Sequence, residues 1–235
     1  MSNNVVKIIS AGAPKLGVRR CTEFFEKNSD ISVRIIFATA PEITKAILSE
    51  ECSSDIIIAP DLIVSKFEKS GHVIKLSGTT IGSVKVAVVV KQGAIEPNIS
   101  SKEELKRAIL TSKRIIFNEA SSGQYIRSMI DNMGIRKEIS NNILITKTGS
   151  DVIEYLDQSS SNYEIGFSQA TEIQLKINEG MNVRLIGTLP TEIEHVSSYK
   201  FALLTSSANK KAARDMLHFM SSNEAKRICI TSGLL

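Results

Sequence analysis

The chain has 235 residues, 29 basic and 25 acidic, with a formal charge of +4, so it has room for one large α/β domain or two lobes. Hydrophobic residues at 42% and charged residues at 23% exclude a disordered chain, and no apolar run reaches the roughly 18–20 residues of a membrane span. Scattered Lys and Arg make no stripe for nucleic acid, and only 5% aromatic residues, with no Trp, leave ring-stacking recognition poorly supplied.

Taken in chain order, short β-branched runs alternate with helical patterns. The runs at 5–9, 32–37, 55–59, 85–91, 114–117, 142–146, 164–167, 183–186 and 199–205 predict strands. Between the first two, Val18, Cys21 and Phe25 share one helical face; Ile126, Met129, Ile130 and Met133 share another. Ser101 followed by Glu103 and Glu104 reads as a helix start, and 209–220 and 223–231 close the chain as helices. This alternation predicts parallel sheets covered on both faces. No Pro/Gly-rich linker separates two domains, yet the pattern restarts after Gly82 and Ser83, so crossing strands at 85–91 and 199–205 are expected to join two lobes.

Open α/β sheets bind ligands beyond the carboxyl ends of their strands. Four of those ends are small and hydroxylated, and each opens a helix. They are Ser10-Ala11-Gly12-Ala13, Ala38-Thr39-Ala40, Glu119-Ala120-Ser121-Ser122-Gly123 and Thr148-Gly149-Ser150-Asp151. Unpaired N–H groups and the positive end of the helix dipole favour anions there, and small residues allow close approach.

Other chemistries find little support. Neither GxxxxGK[ST] nor GxGxxG occurs, and no His/Cys spacing suits a metal, so neither cofactor nor metal is expected. The three cysteines, Cys21, Cys52 and Cys229, lie far apart and read as buried thiols. Gly166-Phe167-Ser168-Gln169-Ala170 approaches a GxSxG nucleophile elbow but has Ala170 in place of the second Gly, and neither His195 nor His218 has a convincing acidic partner. Ser168 and Gln169 remain as polar groups at a strand end.

These segments together resemble the type II periplasmic substrate-binding proteins of the molybdate-binding kind. The likeness rests on Ser10-Ala11-Gly12-Ala13, Phe37-Ala38-Thr39-Ala40 and Ser54-Asp55-Ile56-Ile57-Ile58-Ala59-Pro60, then on Gly82-Ser83-Val84-Lys85-Val86-Ala87-Val88 as a crossing strand. Ser121-Ser122-Gly123, Gly166-Phe167-Ser168-Gln169 and the closing segments from Asn209 and Ser221 extend it over nearly the whole chain. The resemblance implies two α/β lobes, residues 1–82 with 201–235 and residues 83–200, hinged on two crossing strands. It implies a small anion, a molybdate-like oxyanion or a small carboxylate, held between the lobes by Ser10, Gly12, Ala13, Thr39, Ala40, Ser121, Ser122, Gly123, Thr148, Gly149, Ser150, Ser168 and Gln169.

Where molybdate binders of this kind carry a Tyr after the late strand, this chain has Ser168-Gln169; a Gln both donates and accepts, which suits a carboxylate as well as an oxyanion. The chain also resembles an aconitate-type isomerase of the same fold, a cofactor-free enzyme for which Asp61, Glu119 and Asp151 are the candidate acid–base residues. The implied partners are the anion and an ABC transporter permease, with no nucleic acid and a monomeric chain. No leader pattern precedes Val5, so the location is extracytoplasmic if a signal peptide has been removed and cytoplasmic otherwise; in the latter case an effector-sensing module is the third reading.

Overall fold

A computed structural model describes residues 4–49 and 52–235. Its contacts divide the chain into two units, the first comprising residues 1–84 and 197–235 and the second residues 85–196.

In the first unit, strands β1 (Val5–Ser10), β2 (Ser32–Phe37) and β3 (Ile56–Pro60) alternate with helices α1 (Lys15–Lys27), α2 (Ala40–Leu48) and α3 (Asp61–Lys69). β1 pairs in parallel with both β2 and β3, so the carboxyl ends of all three lie on one edge, where α1, α2 and α3 begin. The Ile56–Ala59 stretch of β3 is buried throughout, as its unbroken apolar run demands of a central strand. β4 (Thr79–Lys91) carries the chain into the second unit, and β9 (Val196–Leu203) brings it back to lie antiparallel on β3. Helices α9 (Lys210–Met220) and α10 (Asn223–Thr231) then complete the unit. Val18, Cys21 and Phe25 of α1 join Ile8, Ile57, Phe201, Met216 and Cys229 in one core.

The second unit continues with α4 (Lys102–Thr111), β5 (Arg114–Asn118), α5 (Ser121–Asn132), α6 (Arg136–Ile139), β6 (Ile143–Thr146), α7 (Gly149–Gln158), β7 (Glu164–Gln169), α8 (Ala170–Asn178) and β8 (Val183–Thr188). β5 pairs in parallel with β6 and β7, while β4 runs antiparallel to both β7 and β8. Both sheets are therefore mixed rather than purely parallel, because the strands that enter and leave each unit run against the βαβ strands. Side-chain alternation splits this sheet between two cores. Val86, Val88, Ile115 and Phe117 face Leu105, Ile109, Ile126 and Ile130 on one side, whereas Ala87, Val89 and Ile116 face Val152, Ile153 and Leu156 on the other. That two-sided burial explains the run of four valines and one alanine at 86–90, which a half-exposed strand would interrupt with polar residues.

Of the predicted elements, the strand at 85–91 is longer than its apolar run, starting at Thr79. The strand predicted at 199–205 begins earlier, at Val196, and ends at Leu203. In both, polar residues extend the pairing where composition gives no signal. None of the helices among the described residues is long and apolar enough to cross a membrane.

Candidate functional site

All four small, hydroxylated segments sit at the carboxyl end of a parallel strand and open a helix, two in each unit. In the first unit Ser10 ends β1, fully buried, its hydroxyl turned to the Ala11 carbonyl at 3.0 Å. The neighbouring strands hold this turn. Ala11 N–H donates to the Ile58 carbonyl at 2.8 Å, and Ala38 N–H donates to the Ser10 carbonyl at 2.9 Å. The chain then turns through Gly12, Ala13 and Pro14 into α1. No side chain caps α1, its first turn holds no acidic residue, and Lys15 is its first residue. Lys15 Nζ and the Arg19 guanidinium both lie 5.4 Å from the centre of the Phe37 ring, so two cations face the end of β2 beside this turn. Composition analysis gave neither a role, since each reads as one scattered surface charge.

The second turn of this unit is built differently. Thr39 is the N-cap of α2, and Glu42 reaches back to it: the Glu42 carboxylate accepts the Thr39 N–H and the Thr39 hydroxyl, each at 2.9 Å. Ala40 follows as the first residue of α2. The helix thus supplies its own anion. Asp61 opens α3, paired with Lys200 Nζ at 3.1 Å and accepting the Ser65 hydroxyl at 3.2 Å.

In the second unit the turn after β5 is buttressed from beneath. The buried Asn118 side chain accepts the Ala120 N–H at 2.8 Å and donates to the Ser122 hydroxyl at 3.1 Å. Gly123 packs directly on this strand end: a Cβ there would lie 1.6 Å from the Asn118 carbonyl oxygen. Ser121, Ser122 and Gly123 are the first three residues of α5, which, like α1, has no side-chain cap and no acidic residue in its first turn. Glu119 stands exposed just before it, its N–H held by the Thr146 carbonyl at 3.0 Å. Tyr125, one turn into α5, donates its hydroxyl to the Ile193 carbonyl at 2.9 Å and stacks on His195 with ring centres 4.1 Å apart. Burial raises the Tyr125 phenol above its ordinary value and lowers the His195 imidazole below its own.

β6 lies beside β5, with Thr146 opposite Asn118, so the turn after it adjoins the α5 start. Thr148 and Asp151 form a reciprocal cap on α7, with Thr148 N–H on Asp151 Oδ2 at 2.8 Å and Asp151 N–H on Thr148 Oγ1 at 3.1 Å. Gly149 and Ser150 begin the helix. The Ser168 hydroxyl donates to Glu172 Oε2 at 2.9 Å, and both press against Gly149, where a Cβ would meet that carboxylate oxygen at 2.1 Å and the hydroxyl at 2.4 Å. Gly149, Ser168 and Glu172 are therefore brought together. Glu172 escaped the sequence reading because it lies four residues into a stretch with no motif. Ser168 is paired with Ala87 within β7 rather than standing on a strand-to-helix turn, so no nucleophile elbow is present. Gln169 ends β7, buried, as the N-cap position of α8.

Among the described residues no cluster of three or more His, Cys, Asp or Glu side chains could hold a metal ion.

Comparison with known proteins adds four findings. Residues 6–235 match the family described as bacterial extracellular solute-binding protein. An aconitate isomerase from Pseudomonas sp. is 24% identical over 235 residues, covering 97% of this chain and 86% of that protein. The periplasmic molybdate-binding protein of Azotobacter vinelandii superposes with a TM-score of 0.78 at 14% identity over 98% of both chains. The sulfate-binding protein SubI of Mycobacterium tuberculosis H37Rv gives the same score and identity over 98% of this chain and 86% of its own. At such identities the two structures speak to the fold, which is that of the type II periplasmic binding proteins.

Proposed function

The chain belongs to the bacterial extracellular solute-binding proteins, and from that premise we propose that it captures a small anion, a tetrahedral oxyanion or a small carboxylate, for delivery to an ABC transporter permease. One observation carries the reading. Of the four helix starts, α2 and α7 are closed by their own carboxylates, Glu42 and Asp151, whereas α1 and α5 have neither a side-chain cap nor an acid in the first turn. One such start lies in each unit. Ser10, Gly12 and Ala13 are then the candidate anion contacts at the α1 start, with Lys15 adding charge, and Ser121, Ser122 and Gly123 those at the α5 start. Thr39 and Ala40 of the first unit and Thr148, Gly149, Ser150, Ser168 and Gln169 of the second are the further candidate contacts. Charge-assisted bonds to backbone N–H groups are the strong kind, and they need no aromatic residue. The family description supports a location outside the cytoplasm, and the working form in this proposal is the monomer.

Calorimetric titration with molybdate, tungstate, sulfate and small di- and tricarboxylates tests this reading. Ser121→Pro is the informative variant. Ser121 is the first residue of α5, where Pro is tolerated, and Ala120 before it is already extended at φ −72°, ψ −176°, so the substitution removes one N–H and one hydroxyl while keeping the helix. Binding of one of these anions, weakened about tenfold or more in Ser121→Pro, is the expected result. No heat with any of them refutes the proposal.

The second reading, isomerisation of a small polycarboxylate such as aconitate, is favoured by the curated relative at 24% identity. Such a reaction moves a proton between carbons and needs a carboxylate able to accept it. Asp61 is tied to Lys200 and Asp151 caps α7, which leaves exposed Glu119 beside the α5 start as the best placed of the three. Incubation with cis- or trans-aconitate should then show interconversion that Glu119→Gln abolishes and that Asp61→Asn and Asp151→Asn reduce less. Absence of interconversion in the wild type removes this reading and leaves the first intact.

A further inference from the structure

Cys21 of α1 and Cys229 of α10 are separated by 208 positions in the chain, yet their sulfurs stand 3.8 Å apart in the core of the first unit. Both are buried, at 0% and 2% exposure. The two helices pack closely around them. Gly17, one turn before Cys21, lies so near α10 that a Cβ on it would be 3.6 Å from both the Cα and the Sγ of Cys229. A disulfide needs the sulfurs at about 2.05 Å, a contraction of less than 2 Å that side-chain rotation on two such closely packed helices can supply. Cys52, the remaining cysteine, is partly exposed and lies on neither helix.

We propose that Cys21 and Cys229 are a cross-linking pair, present here as the dithiol, which closes to a disulfide in the oxidising surroundings of an extracellular protein and staples the C-terminal helix to α1, the helix that follows the turn at residues 10–14 of the candidate anion site. The oxidant is an external disulfide. A Cys229 thiolate attacks one of its sulfurs, forming a mixed disulfide and releasing one thiolate. The Cys21 thiolate then attacks Sγ of Cys229 and expels the second. Two protein thiols are oxidised by two electrons, the external disulfide is reduced to two thiols, and both protein protons pass to the released thiolates.

In the packed core the hydrogen bond between the two sulfurs holds the Cys229 thiol below its ordinary value and, with burial, pushes Cys21 above. Full burial confines the exchange to moments when α10 is undocked, as in folding. A loop of 208 residues is also where a cross-link restricts the unfolded chain most.

The test uses the full chain, unfolded in urea and refolded with oxidised glutathione. The expected product is the monomer with one free thiol instead of three and a mass lower by two hydrogens. Peptide mapping without reductant should join Cys21 to Cys229, and the oxidised form should melt higher than the reduced form. Cys52→Ser should give the same cross-link with no free thiol, while Cys21→Ser, if folded, should give no intramolecular disulfide. Three free thiols after refolding, pairing through Cys52, stable glutathione adducts at Cys21 or Cys229, or a cross-linked form that melts no higher would each overturn the proposal.

Discussion

Gly123→Ala offers a quantitative test of how the β5–α5 turn is built. On an exposed helix this change usually stabilises by about 1 kcal/mol. Here the new Cβ would sit 1.6 Å from the Asn118 carbonyl oxygen, 2.5 Å from its carbon and 2.9 Å from its nitrogen, all backbone atoms that cannot swing aside. To reach even a 3.0 Å approach, the carbonyl must retreat by about 1.4 Å. That movement strains the bonds from Asn118 to Ala120 N–H and to Ser122 Oγ, each worth about 1 kcal/mol, and adds an overpacking cost of about 1–3 kcal/mol. Set against the propensity gain, the net is a destabilisation of about 2–4 kcal/mol. Equilibrium urea unfolding should place the midpoint of the second unit about 1 M lower, and Ser121→Ala, whose side chain makes no such approach, should move it little. Anion affinity should fall as well, since the same movement displaces the N–H groups of Ser121 and Ser122. A Gly123→Ala protein as stable as the wild type would refute the close approach and, with it, the geometry assigned to this turn.

Asp55 is buried and accepts from Lys7 N–H at 2.8 Å, Ser207 Oγ at 2.7 Å and Asn209 N–H at 3.2 Å; Asp55→Ala, leaving those donors stranded, should cost about 3 kcal/mol, seen as a Tm lower by about 10 °C. Because burial lowers the His195 imidazole, the unfolded chain binds that proton more readily, so the contribution of this group is complete above the ordinary value near 6.5 and is lost as pH falls below it. Urea midpoints between pH 7.5 and pH 5 should therefore fall less steeply in His195→Gln than in the wild type; equal slopes would contradict it. A bound anion at about 100 times its Kd should raise unfolding free energy by about 2.7 kcal/mol, measured by calorimetry, and the gain should shrink in Ser121→Pro.

Much of the fold was legible because its strands are apolar on both faces. The runs at 56–59 and 86–90 leave no choice but a central strand, and their alternation with helical faces such as Val18, Cys21 and Phe25 places helices over them. What composition could not reveal is direction. Nothing in 183–188 or 196–203 marks these strands as antiparallel, since register and sense are set by which neighbours are already paired rather than by side-chain type. The approach of Cys21 to Cys229 was equally invisible, because the contact depends on how α1 and α10 cross after the chain has returned from the second unit.

The candidate site carries a different lesson, for its discriminating signal was in the sequence all along. Thr39-Ala40-Pro41-Glu42 and Thr148-Gly149-Ser150-Asp151 both place a hydroxyl at the N-cap and an acid three residues later, the spacing at which each satisfies the other's backbone N–H. A helix that starts this way has already spent its positive end on its own carboxylate. A ligand anion meeting it must displace that carboxylate or accept repulsion from it. The segments Gly12-Ala13-Pro14-Lys15 and Ala120-Ser121-Ser122-Gly123 lack the acid, so no first-turn carboxylate offsets the positive ends of α1 and α5. The distinction between capped and uncapped starts, more than the count of small hydroxylated turns, is what singles out α1 and α5. It also makes the choice reversible by design. Gly123→Glu would test nothing, since it clashes with Asn118, whereas an acid introduced at exposed Gln124, the fourth residue of α5, would bring a negative charge to the same helix end without that clash. Gln124→Glu should lower anion affinity with little change in stability, and an affinity left unchanged would place the ligand elsewhere.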